Sequence, residues 1–320
     1  VLKAIANINK NIFEEVRDKE FSDVNTFDQY LIELDGTENK SNLGANATLA
    51  TSLAFAKCLA SFHKKEFYTF LADSNRMTLP VPMMNIINGG SHADNNVDIQ
   101  EFMIAPVGAN KFSEGLRWGT EIFHSLKSLL KSKTLNTNVG DEGGFAPNIN
   151  SSNEVIETIL QSINDAGFKP GEDIYLSLDV ASTEFYRNGK YDLKGENLNL
   201  NSEDMILYLE KLVNSYPIYS IEDGMAEDDW EGWTNLTNKL GNKIQLVGDD
   251  LFVTNKKRLQ RGINENAGNS ILVKVNQIGT LKETLDSIQL AKQNNFSTVI
   301  SHRSGETEDT TIADLAVGIS

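Results

Sequence analysis

Three acidic residues follow short apolar segments of the chain, at positions where buried strands would end. Asp179 closes IYLSLD, Glu222 lies in IYSIED, and Asp249 lies in IQLVGDD. Carboxylate oxygens are the ligands that Mg²⁺ prefers, and this ion usually keeps water or substrate oxygens in its remaining positions. Any one of these acids alone is better explained as a helix cap or a solvated loop residue. Three of them at equivalent positions of successive segments favour a magnesium site.

A lysine with apolar neighbours is a candidate base. Lys274 lies near the centre of the apolar segment ILVKVNQ, where burial and nearby cations favour the neutral amine. A neutral amine beside a metal-bound carboxylate is suited to removing a proton from carbon, because the metal neutralises the enolate charge. The alternative is a lysine whose ammonium group reaches water while its stem covers apolar surface. The segment alone leaves both interpretations open.

Two glycine-containing tracts offer further groups for acid–base chemistry. Glu142 lies in VGDEGGFAPN, where the glycines would let a substrate approach the carboxylate closely. His92 follows the glycine pair of NGGSHADNN. The first tract is also compatible with an ordinary turn, and a lone histidine is usually structural. We interpret Glu142 as a candidate acid and His92 as a candidate functional imidazole.

A polar tract near the end of the sequence is suited to binding an anion. SHRSGETED contains Ser301, His302, Arg303 and Ser304, which together offer hydroxyl, imidazole and planar guanidinium groups for a phosphate. The chain has 29 basic and 45 acidic side chains and a net charge of −16. An anionic substrate must therefore be met by locally concentrated cations, and this tract is where we expect a phosphate to bind.

Composition excludes some partners and locations. The negative charge would repel a phosphate backbone, so a nucleic acid is not the expected partner. No stretch approaches the roughly 18 consecutive apolar residues that a membrane span needs.

The single cysteine, Cys58 in LATSLAFAKCLASF, cannot form an internal disulfide and is expected to be a buried structural thiol. No leader pattern begins the sequence, and we expect a cytoplasmic protein.

The elements that would position the candidate groups form a repeat of apolar strand, polar tip and helix. Five strand segments reach or carry Asp179, Glu222, Asp249, Lys274 and His302, at intervals of 43, 27, 25 and 28 residues. Lys274 is predicted to lie within its strand, near the centre. These intervals are typical of a (β/α) barrel of about 250 residues, in which one face gathers catalytic groups. A doubly wound open sheet would give similar intervals, although the Gly-x-Gly-x-x-Gly turn of a dinucleotide site is absent. We expect the five polar tips to converge.

The first part of the chain has a helical pattern. Apolar residues three and four apart predict helices in VLKAIANINKNIFEEV, FDQYLIEL and LATSLAFAKCLASF. The change to the proline- and glycine-containing tract RMTLPVPMMNIINGG places a domain boundary near Asn75. We predict a helical domain over residues 1–75 and a barrel domain over residues 76–320. The tract NGKYDLKGENLN, within the longest interval, is predicted to be a surface insertion.

Several tracts resemble the enolase family, of the bacterial type, over essentially the whole chain. They are PVPMMNIINGGSHADNNVDIQEFMI, NVGDEGGFAPN, LDVASTEFY, SIEDG, LVGDDLFVTN, KVNQIG and SHRSGETEDTTIADLAVG. The resemblance implies an α/β fold with a (β/α)8-type TIM barrel, incomplete at its C-terminal end and preceded by the helical part of an α+β capping domain. It also implies a lyase of glycolysis and gluconeogenesis that reversibly dehydrates 2-phospho-D-glycerate to phosphoenolpyruvate with Mg²⁺. Enzymes of this superfamily use a lysine or histidine base with one or two Mg²⁺ ions.

The resemblance implies a role for each candidate residue. Lys274 would take the C2 proton of the substrate, and Glu142 would help the C3 hydroxyl leave as water. Asp179, Glu222 and Asp249 would hold the first Mg²⁺. The implied substrate contacts are His92, Glu101, Glu222, Asp249, Ser301, His302, Arg303 and Ser304.

The resemblance also implies partners and missing segments. Arg303 and Ser304 match phosphate-binding positions of the family, and a homodimer with two Mg²⁺ per active site is expected. We expect the sequence to lack the family's N-terminal strands, whose mobile loop helps hold the second Mg²⁺, and the last barrel strand with a second active-site lysine. The alternatives are a fragment that acts only as a binding surface, as some family members do at the cell surface, and a related superfamily enzyme acting on another carboxylate.

Overall fold

A computed structural model describes residues 1–72 and 76–320. Its helices and strands are, in chain order, α1 (Leu2–Ala6), a π-helical stretch (Asn7–Ile12), α2 (Phe13–Val16), α3 (Val24–Asp35), α4 (Ala45–Phe62), α5 (Phe67–Leu71), β1 (Met84–Asn88), β2 (Glu101–Ala105), α6 (Phe112–Ser132), α7 (Ser152–Asp165), β3 (Tyr175–Asp179), β4 (Tyr186–Arg187), β5 (Lys190–Leu193), β6 (Leu198–Leu200), α8 (Ser202–Ser215), β7 (Ile218–Glu222), α9 (Trp230–Leu240), β8 (Gln245–Gly248), α10 (Lys256–Glu265), β9 (Ser270–Val273), α11 (Val275–Ile278), α12 (Leu281–Gln293), β10 (Ser297–Ile300) and α13 (Thr311–Gly318). Short 3₁₀ turns cover Gly90–His92 and Ser182–Phe185.

The described chain forms two compact units that interleave along the sequence. We call them the helical unit and the sheet unit. The helical unit consists of Val1–Leu79, Phe252–Arg261 and Ile271–Ser320. The sheet unit consists of Pro80–Leu251 and Gly262–Ser270. The predicted domain boundary near Asn75 lies outside the described residues, so the division into residues 1–75 and 76–320 stays a prediction.

The helical unit confirms the helices predicted near the start of the chain. Helix α3 begins where Asp23 accepts a hydrogen bond of 2.8 Å from the Thr26 N–H, and it ends at Gly36, whose φ of +69° suits glycine. Its buried face presents Phe27, whose ring stacks on Phe55 of α4 with centroids 4.1 Å apart. Aromatic contacts of this kind add to the stabilisation from burial.

One prediction about the helical unit is wrong. Cys58 on α4 is exposed rather than buried. Ala56 and Ala60 are the buried residues of this turn, and a residue two positions from each lies on the opposite side of a helix with 3.6 residues per turn. The small residues around Cys58 therefore indicated a packed helix but not which face is packed.

The sheet unit contains the first three strands of the predicted strand-and-helix repeat, β3, β7 and β8. Strand β3 pairs in parallel with β7, and β7 pairs in parallel with β8. Strands β1, β2 and β3 instead pair antiparallel, so β2 runs against its neighbours. Parallel strands need a long crossover, which helices such as α8 and α9 provide. In the part of the chain that the structure describes, no helix is long and apolar enough to cross a membrane.

The predicted surface insertion is a three-stranded antiparallel sheet of β4, β5 and β6. It is not confined to the surface, because Tyr191 and Leu193 of β5 are fully buried. The Tyr191 hydroxyl donates a 2.7 Å hydrogen bond to the Asp229 carboxylate. Buried and less buried residues alternate along β5, because successive side chains of a strand point to opposite faces. One face of this polar tract therefore packs against the rest of the protein.

Candidate active site

A row of acidic side chains lies at one edge of the sheet unit. Glu101 begins β2, Asp179 ends β3 and Glu222 ends β7, and the strand register pairs Asp179 with both of the others. Paired residues of adjacent strands project from the same face of a sheet. All three side chains belong to buried residues. We call Glu101, Asp179 and Glu222 the strand-end row, a concentration of negative charge that needs a proton or a cation to balance it.

The orientation of Asp179 is fixed by its neighbours. One carboxylate oxygen accepts a 2.9 Å hydrogen bond from the Gln100 amide, and the other accepts a 3.0 Å bond from the Ala181 N–H. Ala181 has a φ of +47°, which is unfavourable for a residue with a Cβ. Strained backbone of this kind is common at functional sites, where surrounding structure holds it in place.

A second acidic group follows β7 and β8. Ligand oxygens of Asp223, Asp249 and Asp250 all lie within 4.8 Å of one another. The two carboxylate oxygens of Asp223 accept hydrogen bonds of 3.0 Å and 2.8 Å from the N–H groups of Asp249 and Asp250. Asp223 itself is buried and has a φ of +43°. It therefore fixes the backbone that carries Asp249.

Burial has a large effect on the ionisation of this group. It raises the pKa of the Asp223 carboxyl well above its usual range, and the charges of Asp249, Asp250 and Asp179 raise it further. A group in this environment is stabilised either by a proton or by a nearby cation. The arrangement thus favours a positive ion close to the strand ends.

The structure brings His92, Glu101 and Glu142 together. One ligand atom from each lies within 4.8 Å of the other two. His92 Nδ1 is 3.1 Å from Glu101 Oε1, close enough for an ion pair when the imidazole is protonated. The contact with Glu101 raises the pKa of His92 above its usual value, burial opposes the change, and the charges of Glu142 and Asp179 add smaller effects.

Glycines allow the loop that carries Glu142 to pack closely. A Cβ on Gly140 would lie 2.5 Å from the His92 carbonyl oxygen, which only glycine avoids. The Asp141 N–H donates to the same His92 oxygen at 3.0 Å, and the Gly140 N–H donates to the Gly144 carbonyl at 2.8 Å. These bonds place Glu142 at the tip of a tight loop beside His92.

Lys274 belongs to the helical unit. It follows β9 as the N-cap residue of α11 and is partly buried, so the prediction that it lies within the strand is wrong. The strand ends at Val273 because the next residues form one helical turn, which Gly279 closes with a φ of +97°. The Lys274 N–H donates a 2.9 Å hydrogen bond to the Thr254 hydroxyl, which fixes the backbone at this point.

The predicted anion-binding residues lie beyond β10, also in the helical unit. The Ser301 N–H donates a 3.0 Å hydrogen bond to the Val273 carbonyl, and Ser301 is partly buried. His302, Arg303 and Ser304 are exposed. We call residues 301–310 the basic loop, after the guanidinium group of Arg303, although the loop also carries Glu306, Glu308 and Asp309.

Two acidic residues hold the basic loop. The Arg303 N–H donates a 2.9 Å hydrogen bond to the Glu306 carboxylate. Asp309 forms a 2.7 Å ion pair with Lys57 of α4. Hydrogen bonds from Lys57 and then Thr311 lower the pKa of Asp309 to about 2.

Two protein-family models match the chain over almost its whole length. Residues 1–71 match the description "Enolase, N-terminal domain", and residues 76–320 match "Enolase, C-terminal TIM barrel domain". The chain belongs to the enolase family. The predicted α/β fold with an incomplete TIM barrel is thereby confirmed, and the chain carries the two domains of an enolase-type lyase.

The acidic residues of this enolase-family chain fit the Mg²⁺ that the family typically binds. Asp179, Glu222 and Asp249 are 6%, 8% and 7% exposed, and each presents hard carboxylate oxygens. Within the described residues, however, Asp249 lies within 4.8 Å of Asp223 and Asp250, rather than in one such group with Asp179 and Glu222. The three-residue metal site stays a prediction.

Three residues near this site were not predicted from the sequence: Gln100, Asp223 and Asp250. The second acids of SIED and VGDD could have been found, because each is adjacent to a residue already chosen. Gln100 gave no such signal, since its contact with Asp179 spans 79 positions and depends on the direction of β2. Antiparallel pairing of this kind is not visible in a periodic pattern.

Proposed function

We propose that this enolase-family chain catalyses the Mg²⁺-dependent, reversible dehydration of 2-phospho-D-glycerate to phosphoenolpyruvate and water. The observation that carries the proposal is the close group of His92, Glu101 and Glu142, which shares Glu101 with the strand-end row. A carboxylic acid beside an imidazole can protonate a departing hydroxyl. A concentrated set of carboxylates can hold a cation, which stabilises the negative charge that forms when a proton is removed from carbon.

The proposed roles follow the chemistry of each side chain. Lys274 Nζ takes the proton from C2, leaving its electron pair on the substrate. Glu142 gives a proton to the C3 hydroxyl, so that the C–O bond breaks and water departs. The electron pair from C2 forms the new double bond, which balances the reaction. His92 and Glu101 contact the substrate near the departing hydroxyl.

Cations are needed at both ends of a substrate that carries a carboxylate and a phosphate. We propose that Asp179, Glu222 and Asp249 hold the first Mg²⁺, with Glu222 and Asp249 also facing the substrate. Bound Mg²⁺ would stabilise the negative charge that develops on the substrate carboxylate. Arg303 and Ser304, with Ser301 and His302, bind the phosphate by charge-assisted hydrogen bonds.

The test is formation of phosphoenolpyruvate from 2-phosphoglycerate, followed by ultraviolet absorbance with and without Mg²⁺ in the complete gene product. We expect activity only with Mg²⁺.

Lys274→Ala should abolish exchange of the C2 proton with solvent, whereas Glu142→Gln should slow dehydration but leave some exchange. Lys169→Ala, which removes an exposed lysine of the sheet unit, is the matched control. Normal C2 exchange in Lys274→Ala would show that the base is misassigned.

Further proposals concern the assembly. We propose a cytoplasmic homodimer with two Mg²⁺ per active site, in which residues 1–75 belong to the capping domain and residues 76–320 to the catalytic barrel. The family matches, which divide between residues 71 and 76, support this division. Sedimentation equilibrium and calorimetric titration with Mg²⁺ measure the subunit and metal stoichiometries.

A further inference from the structure

A second row of polar residues crosses the sheet unit beneath the strand-end row. The register pairs Asn85 with Met103, Met103 with Ser177, Ser177 with Ser220, and Ser220 with Gln245. These residues therefore lie at one level on neighbouring strands. We call Asn85, Ser177, Ser220 and Gln245 the inner polar row, in which Met103 of β2 separates Asn85 from Ser177.

The inner polar row faces the same way as the carboxylates. Ser177 precedes Asp179 by two residues on β3, and Ser220 precedes Glu222 by two residues on β7. Side chains two positions apart in a strand project from the same face. The serine hydroxyls thus lie one layer below the acidic side chains, inside the sheet unit.

Three members of the row have polar atoms that lack a hydrogen-bond partner among the residues that the structure describes. The hydroxyl oxygens of Ser177 and Ser220 are buried and unpartnered, and so are both side-chain polar atoms of Asn85. Ser177 is 0% exposed and Ser220 is 1% exposed. A buried hydroxyl or amide without a partner costs about 1–3 kcal/mol. Such groups in folded proteins are nearly always satisfied, by protein or by ordered water.

The composition of this layer is unusual for its position. Bulky branched side chains normally fill the interior layers of a TIM barrel. Here two serines on adjacent strands, each smaller than a leucine or isoleucine, place hydroxyl groups in this layer instead. Gln245 closes one end of the row, where its amide donates a 3.2 Å hydrogen bond to the Ser270 hydroxyl.

We propose that the inner polar row binds a small cluster of buried water molecules directly beneath the strand-end row. Each water would bridge at least two of the unpartnered groups of Asn85, Ser177 and Ser220, as buried waters with two to four hydrogen bonds do. Water in this layer also lowers the cost of keeping Asp179 and Glu222 charged, because it raises the local polarity. The inference is independent of the reaction that the chain catalyses.

The substitutions Ser177→Ala and Ser220→Ala test the proposal by the sign of their effect on thermal unfolding. If water satisfies the hydroxyls, each substitution removes hydrogen bonds and lowers the midpoint by about 2–4 °C. If the layer is dry, each substitution removes an unsatisfied polar group and raises the midpoint. Ser162→Ala is the matched control, because this buried hydroxyl donates to the Ile159 carbonyl at 2.7 Å.

A high-resolution crystal structure of the unmodified protein gives a second, folding-independent measurement. We expect ordered water within hydrogen-bond distance of Ser177 Oγ and Ser220 Oγ. A raised midpoint in both serine variants, or a layer without water density, would overturn the proposal. A strong anomalous peak at the row after soaking with rubidium would also overturn it, because the ligand would then be a monovalent cation.

Discussion

The strand-end row and the basic loop contain the two halves of the predicted site, and they are built differently. Glu101, Asp179 and Glu222 are buried on strands, in a fixed register. The basic loop places His302, Arg303 and Ser304 in solvent. Within the sheet unit, backbone and amide N–H groups fix the carboxylates of Asp179 and Asp223, whereas two acidic side chains hold the loop.

We expect the strand-end row to act in metal binding and the chemical step, and the basic loop to act in substrate binding. Buried acids held by backbone donors keep their geometry without a ligand, at a cost in folded-state stability. An exposed loop instead gains much of its order when a ligand binds. Substitutions in the row should therefore change metal binding and the chemical step, and substitutions in the loop should change mainly substrate affinity.

The largest effect is expected for Glu222→Gln. Removing this carboxylate should weaken Mg²⁺ binding by more than about 100-fold and abolish measurable turnover, because the ion loses a charged ligand. The metal-free protein should become more stable, since one of several buried like charges is gone. Calorimetric Mg²⁺ titration and thermal unfolding measure both effects. Glu172→Gln, at an exposed glutamate, is the control, and unchanged Mg²⁺ affinity in Glu222→Gln would contradict the assignment.

The next largest effect is expected for Asp223→Asn, compared with Asp98→Asn. Both aspartates accept hydrogen bonds from two consecutive backbone N–H groups, Asp98 from Gly195 and Glu196. An asparagine can accept only one of each pair. Mg²⁺ affinity should fall about 10- to 100-fold for Asp223→Asn, as for other residues that orient ligands.

Asp98→Asn should leave Mg²⁺ affinity within a factor of about two, because it fixes the turn between β5 and β6 instead. Both variants should lose thermal stability. Equal losses of Mg²⁺ affinity in the two variants would mean that Asp223 has only a structural role.

A smaller effect is expected for Arg303→Lys in the basic loop. Lysine keeps the charge but loses the planar fork that binds two phosphate oxygens. KM for 2-phosphoglycerate should rise about tenfold, with a smaller change in kcat, since the loop acts through binding. Steady-state kinetics separates the two constants. A fall in kcat at constant KM would place Arg303 with the residues of the chemical step.

The smallest effect is expected for Lys57→Ala, which removes the ion pair with Asp309. The folded-state pKa of Asp309 is about 2, below its usual value of 3.8, so the pair stabilises the fold above about pH 4 and the gain is lost as the pH falls toward about 2. Both side chains are partly exposed, at 38% and 52%, so the effect should stay below about 1 kcal/mol.

Urea unfolding of the Lys57→Ala variant and the unmodified protein measures this difference. The gap in unfolding free energy should be present at about pH 7 and shrink toward about pH 2, where the aspartate is protonated. A gap of the same size at both pH values would mean that Lys57 stabilises the loop through packing rather than charge.

Local patterns predicted the parts of the molecule that depend on local structure. The apolar segments before Asp179 and Glu222 form β3 and β7, with the acids at the strand ends as expected. The direction of β2 was not predicted, because it depends on pairing between distant segments. The positions of Gln100 and of Asp223 in the site depend on that pairing and on a strained turn, neither of which leaves a periodic signal.

The reversed direction of β2 makes the two ends of this strand unequal targets for protein engineering. Residues 89–100, which connect β1 to β2, arrive at Glu101 and therefore border the acidic edge of the sheet. Residues 106–111, which leave β2 for α6, emerge at the opposite edge, where the Gly108 N–H bonds to the Asp173 carbonyl. Lengthening the first connection would reshape access to the acids of the proposed site, whereas the second is a place to attach a tag or a reporter without disturbing them.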